Sequence, residues 1–184
     1  MIDRLRRAGS GRLADGAFLV WSVAEGQRGR RWRAQRLEDE AVTTSILLEV
    51  DRDGRASRLE VDAPAGLLTL HPADDRRSVH GNIVSPDGVR PLSFDWTEAS
   101  AFLVEGVPIG EIVTVDRLGR ELGVGERASL HVLVVDRHLG VSVGRRAFVR
   151  LSGSGWRCDD EPCLVEPDGT PHLDGGMSWP LETE

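Results

Sequence analysis

The sequence predicts an all-β fold: mainly antiparallel strands forming a strongly curved sheet, an open barrel or a two-layer sandwich, with one short helical segment. Three observations lead there. Apolar and polar residues alternate along most of the chain, the period of a strand with one buried face. Residues 55–62 (RASRLEVD) send Ser57, Leu59 and Val61 to one side, and Ala56, Arg58, Glu60 and Asp62 to the other. Turn signals recur between such runs, in Asp51-Arg52-Asp53-Gly54, Ser85-Pro86-Asp87-Gly88 and Glu166-Pro167-Asp168-Gly169. Proline presets φ and glycine accepts a positive one, so these stretches read as hairpin turns. Lastly, roughly ten strands are too many for a flat open sheet in a chain this size, because twist makes such sheets curl or split.

Taken in order, residues 17–23 are the first buried strand. Arg4, Arg6 and Arg7 precede this apolar run and Ser22-Val23-Ala24 follows the form of a cleavage site, but residues 9–16 are polar and the run is short for a leader. Residues 42–50 (VTTSILLEV) are rich in β-branched side chains. Further strands are expected at 55–62, 67–70, 79–84, 89–96, 101–105, 128–136, 147–152 and 163–166. Within 89–96, Leu92, Phe94 and Trp96 share one side. Residues 108–122 break the rhythm: Ile109, Ile112, Val113 and Leu118 sit near helical spacing, with Pro108 at the start and Gly123 beyond the end. The β-branched Val113, Thr114 and Val115 let a strand compete, so one or two helical turns are expected.

At 184 residues the chain suits one domain, 1–184. The recurrence of similar turns near both ends raises a division into two similar halves, about 17–106 and 107–184. Residues 1–15 are expected to be poorly ordered. Every basic residue is Arg, and the net charge is −7. The arginine-rich stretch 28–36 (RGRRWRAQR) looks like a nucleic-acid patch, yet Glu38, Asp39 and Glu40 follow it and the chain is acidic as a whole. Its long-range field opposes a phosphate backbone, which argues against nucleic acid. No apolar run is long enough to span a bilayer. Two cysteines make no disulfide framework, so a cytoplasmic location is the default.

Candidate chemistry is sparse. Gly123 to Ala128 has the spacing of a dinucleotide fingerprint, but a strand follows it where a helix is required. Cys158, Cys163 and His172 lack an evident fourth metal ligand. Asp136, His138 and His131 offer a carboxylate and imidazoles without a nucleophile in an elbow, so a hydrolase or lyase is the weaker reading. No catalytic residue, metal or cofactor is therefore assigned. The aromatic residues carry more information, because inward rings on a wide curved sheet either fill a core or surround an apolar pocket.

Along most of its length the layout resembles a bacterial all-β family named for glycolipid binding. The shared features are Trp21 in an early strand, a strand pair around Asp51, Leu67-Leu68-Thr69-Leu70, the strand through Gly81 to Trp96, Pro108-Ile109, Arg117-Leu118, Asp168-Gly169, and an end with Trp179-Pro180. Where that family runs Thr-Asn-Thr-Leu-Pro-Ile-Arg-Arg-Leu, this chain has Leu103 to Ile109 and then a longer gap before Arg117. The resemblance implies a non-catalytic protein that binds a lipid or glycolipid in the concave face of its sheet. Trp21, Phe94, Trp96, Phe102 and Ile109 are then the wall, with Arg117 near the mouth to pair an anionic head group. A protein-interaction or structural module with a filled core is the alternative, and an exposed strand edge would allow a homodimer.

Overall fold

The computed structural model describes residues 6–166 and 169–181. The fold is all-β with one short helix. Eight strands follow one another in the first half: β1 (Arg6–Arg12), β2 (Phe18–Gly26), β3 (Gly29–Glu38), β4 (Ala41–Val50), β5 (Ala56–Ala63), β6 (Gly66–Pro72), β7 (Ser78–Ser85) and β8 (Gly88–Asp95). They form an antiparallel meander, and β14 (Asp174–Pro180) returns to pair with β1, giving a nine-stranded sheet of order β14-β1-β2-β3-β4-β5-β6-β7-β8. A second, curled sheet holds β9 (Ala101–Val104), β10 (Arg127–Val135), β11 (Val141–Arg150), β12 (Gly155–Cys158) and β13 (Glu161–Leu164), in the order β13-β12-β11-β10-β9.

The large sheet buries one face because its registers align the apolar residues into rows. Trp21, Ala34, Ile46, Val61, Leu68 and Ile83 are paired across successive strands, and so are Val23, Trp32, Leu48, Leu59 and Leu70. All eleven are buried. A bulge shifts the β4–β5 pairing between Val50 and Ala56, so Ala56 turns inward beside its strand-mates instead of outward as strict alternation predicts.

The helix α1 (Ile109–Leu118) has a topological cause. β9 and β10 run parallel, and a parallel pair needs a crossover, which α1 supplies. It lies between the sheets. On one side Asp116 pairs with Arg30 at 3.0 Å and Gly54 meets the stem of Arg117. On the other, Gly110 lies against the backbone of Phe102 and Leu103. Ile109, Ile112, Val113, Val115 and Leu118 are all buried, the mark of a helix enclosed on most sides. Its last turn is held by Arg150, whose Nη1 donates to the carbonyls of Gly119 and Leu122, while its guanidinium lies 5.7 Å from the Trp156 ring centre. A cation there also complements the negative end of the helix dipole.

Several expectations change. The helix, at ten residues, is longer than the one or two turns expected within 108–122. Residues 1–15 are not poorly ordered throughout: Arg6–Arg12 is β1, paired on both sides. The chain passes from one sheet to the other between β8 and β9, and β14 rejoins the first sheet. One continuous core spans both sheets and the helix. The arginine-rich stretch is strand β3, with Trp32 and Ala34 inward, and Arg30, Arg31 and Arg36 paired with Asp116, Glu49 and Asp15. Pro167 and Asp168 of the third predicted turn lie outside the described residues. No described helix is long and apolar enough to cross a membrane.

Candidate functional site: a cleft where the two sheets part

The side chains named as pocket walls are mostly core. Trp21 packs against Trp32 with ring centres 6.1 Å apart, and Trp96 against Phe102 at 4.5 Å. Ile109 is fully buried and Phe94 is half-buried against the same core. Arg117, expected near a mouth, is buried and donates to the carbonyls of Glu98 and Ala99 at 2.8 and 3.2 Å. It ties down the connection between β8 and β9. The inward face of the large sheet is thus filled by the chain's own helix and aromatic residues. Trp21 borders two open grooves, one on the solvent side of the large sheet and one beside β14.

Open space exists elsewhere. A cleft of about 740 Å³ lies where the β1–β2 turn, the start of α1 and the β12–β13 hairpin come together. Leu13 and Ala14 form one lip, and Pro162 and Leu173 another. The floor is Leu103, Val104, Val107, Ile112 and Val134. Leu103 and Val134 are direct partners in the parallel β9–β10 pairing, so they present to the same side.

The charged groups around this floor are largely spoken for. Arg36 bonds Asp15 and Glu38, both at 2.7 Å, and donates to the carbonyl of Gly106 at 2.9 Å. The Arg36 bond holds the Asp15 carboxyl below its usual range. Arg146 bonds Asp159 at 2.6 Å, and the Ala147 amide donates to the same carboxylate. His172 shares a 2.7 Å hydrogen bond with Glu166. Burial pushes the thiols of Cys158 and Cys163 up to about 11 and about 12, with the Glu111 charge adding to it, so both stay protonated.

Glu105, Glu161 and Asp174 also line the cleft but are exposed to water, and Glu111 differs from them. It sits in the first turn of α1 and lines the cleft, but its Oε2 is sealed from solvent and has no hydrogen-bond partner. Burial pushes its carboxyl up to about 7, against the smaller opposing pulls of its own backbone amide and of the Arg146 charge. An unmatched polar atom in an apolar wall is costly, and native structures hold few of them.

The other candidate groups resolve into structural roles. Asp136 accepts hydrogen bonds from the amides of His138 and Gly140 at 2.7 and 2.9 Å, forming the β10–β11 turn. His131 bonds Ser100 at 3.2 Å, on a different connection. Among the described residues no group of three or more His, Cys, Asp or Glu side chains is placed to hold a metal ion. Sequence reasoning passed over Glu111 and the cleft. The available signal was a single carboxylate in the apolar run Pro108-Ile109-Gly110-Glu111-Ile112. Comparison with protein-family models, with curated proteins and with solved structures finds no match.

Proposed function

We propose that the protein is a non-catalytic binder of an amphipathic, lipid-like molecule, a lipid or glycolipid, and that the cleft between the two sheets is where the hydrocarbon lies. The observation that carries this reading is the cleft itself: about 740 Å³, with Leu103, Val104, Val107, Ile112 and Val134 among the residues that line it. Sites for small ligands have this volume and character, a mostly apolar wall with a few polar groups. The resemblance drawn from the sequence points to the same ligand class. The location differs from the one first expected, because the inner face of the large sheet is occupied by α1 and the aromatic core.

The test is a fluorescent apolar probe. N-phenyl-1-naphthylamine should brighten on addition of the protein, and a long-chain amphiphile should displace it. Val134→Trp, which fills the floor, should abolish the brightening while the far-ultraviolet dichroism stays that of the parent. No brightening, or brightening unaffected by that substitution, contradicts the reading. Intrinsic tryptophan emission is a poor reporter, since no indole lines the cleft.

A second reading has one observation of its own. Val20, Leu67, Val84, Met177 and Trp179 are exposed on the outward side of the large sheet, beside a groove of about 520 Å³ bordered by Ala8, Val20, Leu47 and Leu67. That surface suits a protein-interaction module. A stable dimer or captured partner lost on Trp179→Ser would favour it.

A further inference from the structure

Resting on the binding role proposed above, the geometry points to the polar end of the guest: we infer that Glu111 receives an uncharged, hydroxyl-bearing head group, so that the preferred ligands are neutral hydroxylated amphiphiles and not fatty acids or alkylamines. The first ground is the unmatched oxygen. Arg36, Arg146 and His172 on the cleft wall already have partners, and Glu105, Glu161 and Asp174 are exposed to water. Glu111 lines the cleft, and the sealed Oε2 of its carboxyl has no partner. The last torsion of a glutamate side chain is broad and two-fold, so the carboxyl can turn either oxygen toward a guest. A hydroxyl suits it in both protonation states, donating to the carboxylate and accepting from the acid.

The second ground is the charge around that spot. Arg146 from β11 and Asp159 beyond β12 form an ion pair next to Glu111, and the Cys158 and Cys163 thiols of β12 and β13 complete the surroundings. A carboxylate head would meet Glu111, and Arg146 is already paired with Asp159. An ammonium head could pair with Glu111 only by lying beside the Arg146 cation. Each would have to break an existing pair or enter against a like charge in a setting poor in water. A neutral hydroxyl avoids both penalties and relieves the unmatched oxygen.

The experiment is calorimetric titration with three probes of equal chain length, each below its micelle concentration: 1-monolauroylglycerol, laurate and dodecylamine. The expected result is that the glycerol ester binds at least about tenfold more tightly than either charged probe, the ratio a single well-placed hydrogen bond to a buried charged group provides. Glu111→Leu should erase that preference by weakening the ester, while its added apolar surface keeps the fold intact. Glu111→Gln, which keeps an accepting oxygen, should retain most of the preference. If laurate or dodecylamine matches the ester, or if the preference survives in Glu111→Leu, the assignment of Glu111 is overturned while the cleft reading stands. If none of the probes binds and Val134→Trp changes nothing, the binding role falls and this inference with it.

Discussion

Glu111 shows how little a residue type reveals without its surroundings. On a helix surface it would be an ordinary first-turn carboxylate favoured by the dipole. With Oε2 sealed and unpartnered, it holds its proton to about pH 7. The native state then binds a proton that the unfolded chain has released, so stability falls as pH rises from the usual carboxylate range through 7. A shift of that size is worth up to about 3 kcal/mol. The melting temperature of the parent protein should therefore decline between pH 5 and pH 8 relative to that of Glu111→Gln, as followed by calorimetry. Equal slopes for the two proteins would mean the carboxyl is solvated. Arg117 carries the opposite lesson. Its sequence position suggested a cation awaiting a ligand, yet both bonds go to the carbonyls of Glu98 and Ala99. Arg117→Met keeps the apolar stem and loses those bonds. A loss of about 1–3 kcal/mol in urea unfolding is expected, and no loss would show that the carbonyls find water instead. Parity along a strand or helix tells which way a side chain points, but partners come from distant segments.

Among the elements, those with one clean apolar face were legible, and the reasons for the misses are local. β4, β6 and β7 alternate, and β5 buries Leu59 and Val61 on the side expected of them. β3 alternates as well, but its arginines on the outward parity read first as a basic patch. β1 buries glycines, not large apolar residues: a Cβ at Gly9 would lie 2.5 Å from the Trp21 ring, so the strand's contribution to packing is an absence of side chain. β14 is exposed along its whole length and offers no alternation to read. Turn chemistry is where the elements yield predictions. The β3–β4 connection uses Asp39 and Glu40 at φ 49° and 66°, the left-handed pair of a tight hairpin usually filled by Asn-Gly. Glu40→Gly should raise stability by roughly 0.5–1 kcal/mol, because a left-handed φ is costly for a residue with a Cβ. A drop in urea midpoint would contradict that. Gly110 has the reverse expectation. A Cβ there would come 2.3 Å from the Phe102 carbonyl oxygen, so Gly110→Ala should lower stability by about 1–3 kcal/mol as α1 is pushed off β9.

For the molecule as a whole, the organising feature is a helix enclosed between two sheets, and the cleft is the place where that closure is incomplete. No strand pattern announces it, because it depends on how the β1–β2 turn, the start of α1 and the β12–β13 hairpin meet across long stretches of sequence. The curved all-β architecture followed from alternation and turns. The filling of its inner face by α1 followed from the parallel β9–β10 pairing, which sequence reading had as two ordinary strands. The central claim is that an amphiphile lies in this cleft, and not on the outward face of the large sheet. Amide chemical-shift mapping on titration with 1-monolauroylglycerol tests it most directly. The account predicts that the perturbed amides cluster at residues 13–14, 36, 103–107, 109–112, 134, 163 and 173, with β4 to β6 unaffected. Perturbations centred on Val20, Leu47 and Leu67, or none anywhere at saturating ligand, would contradict it.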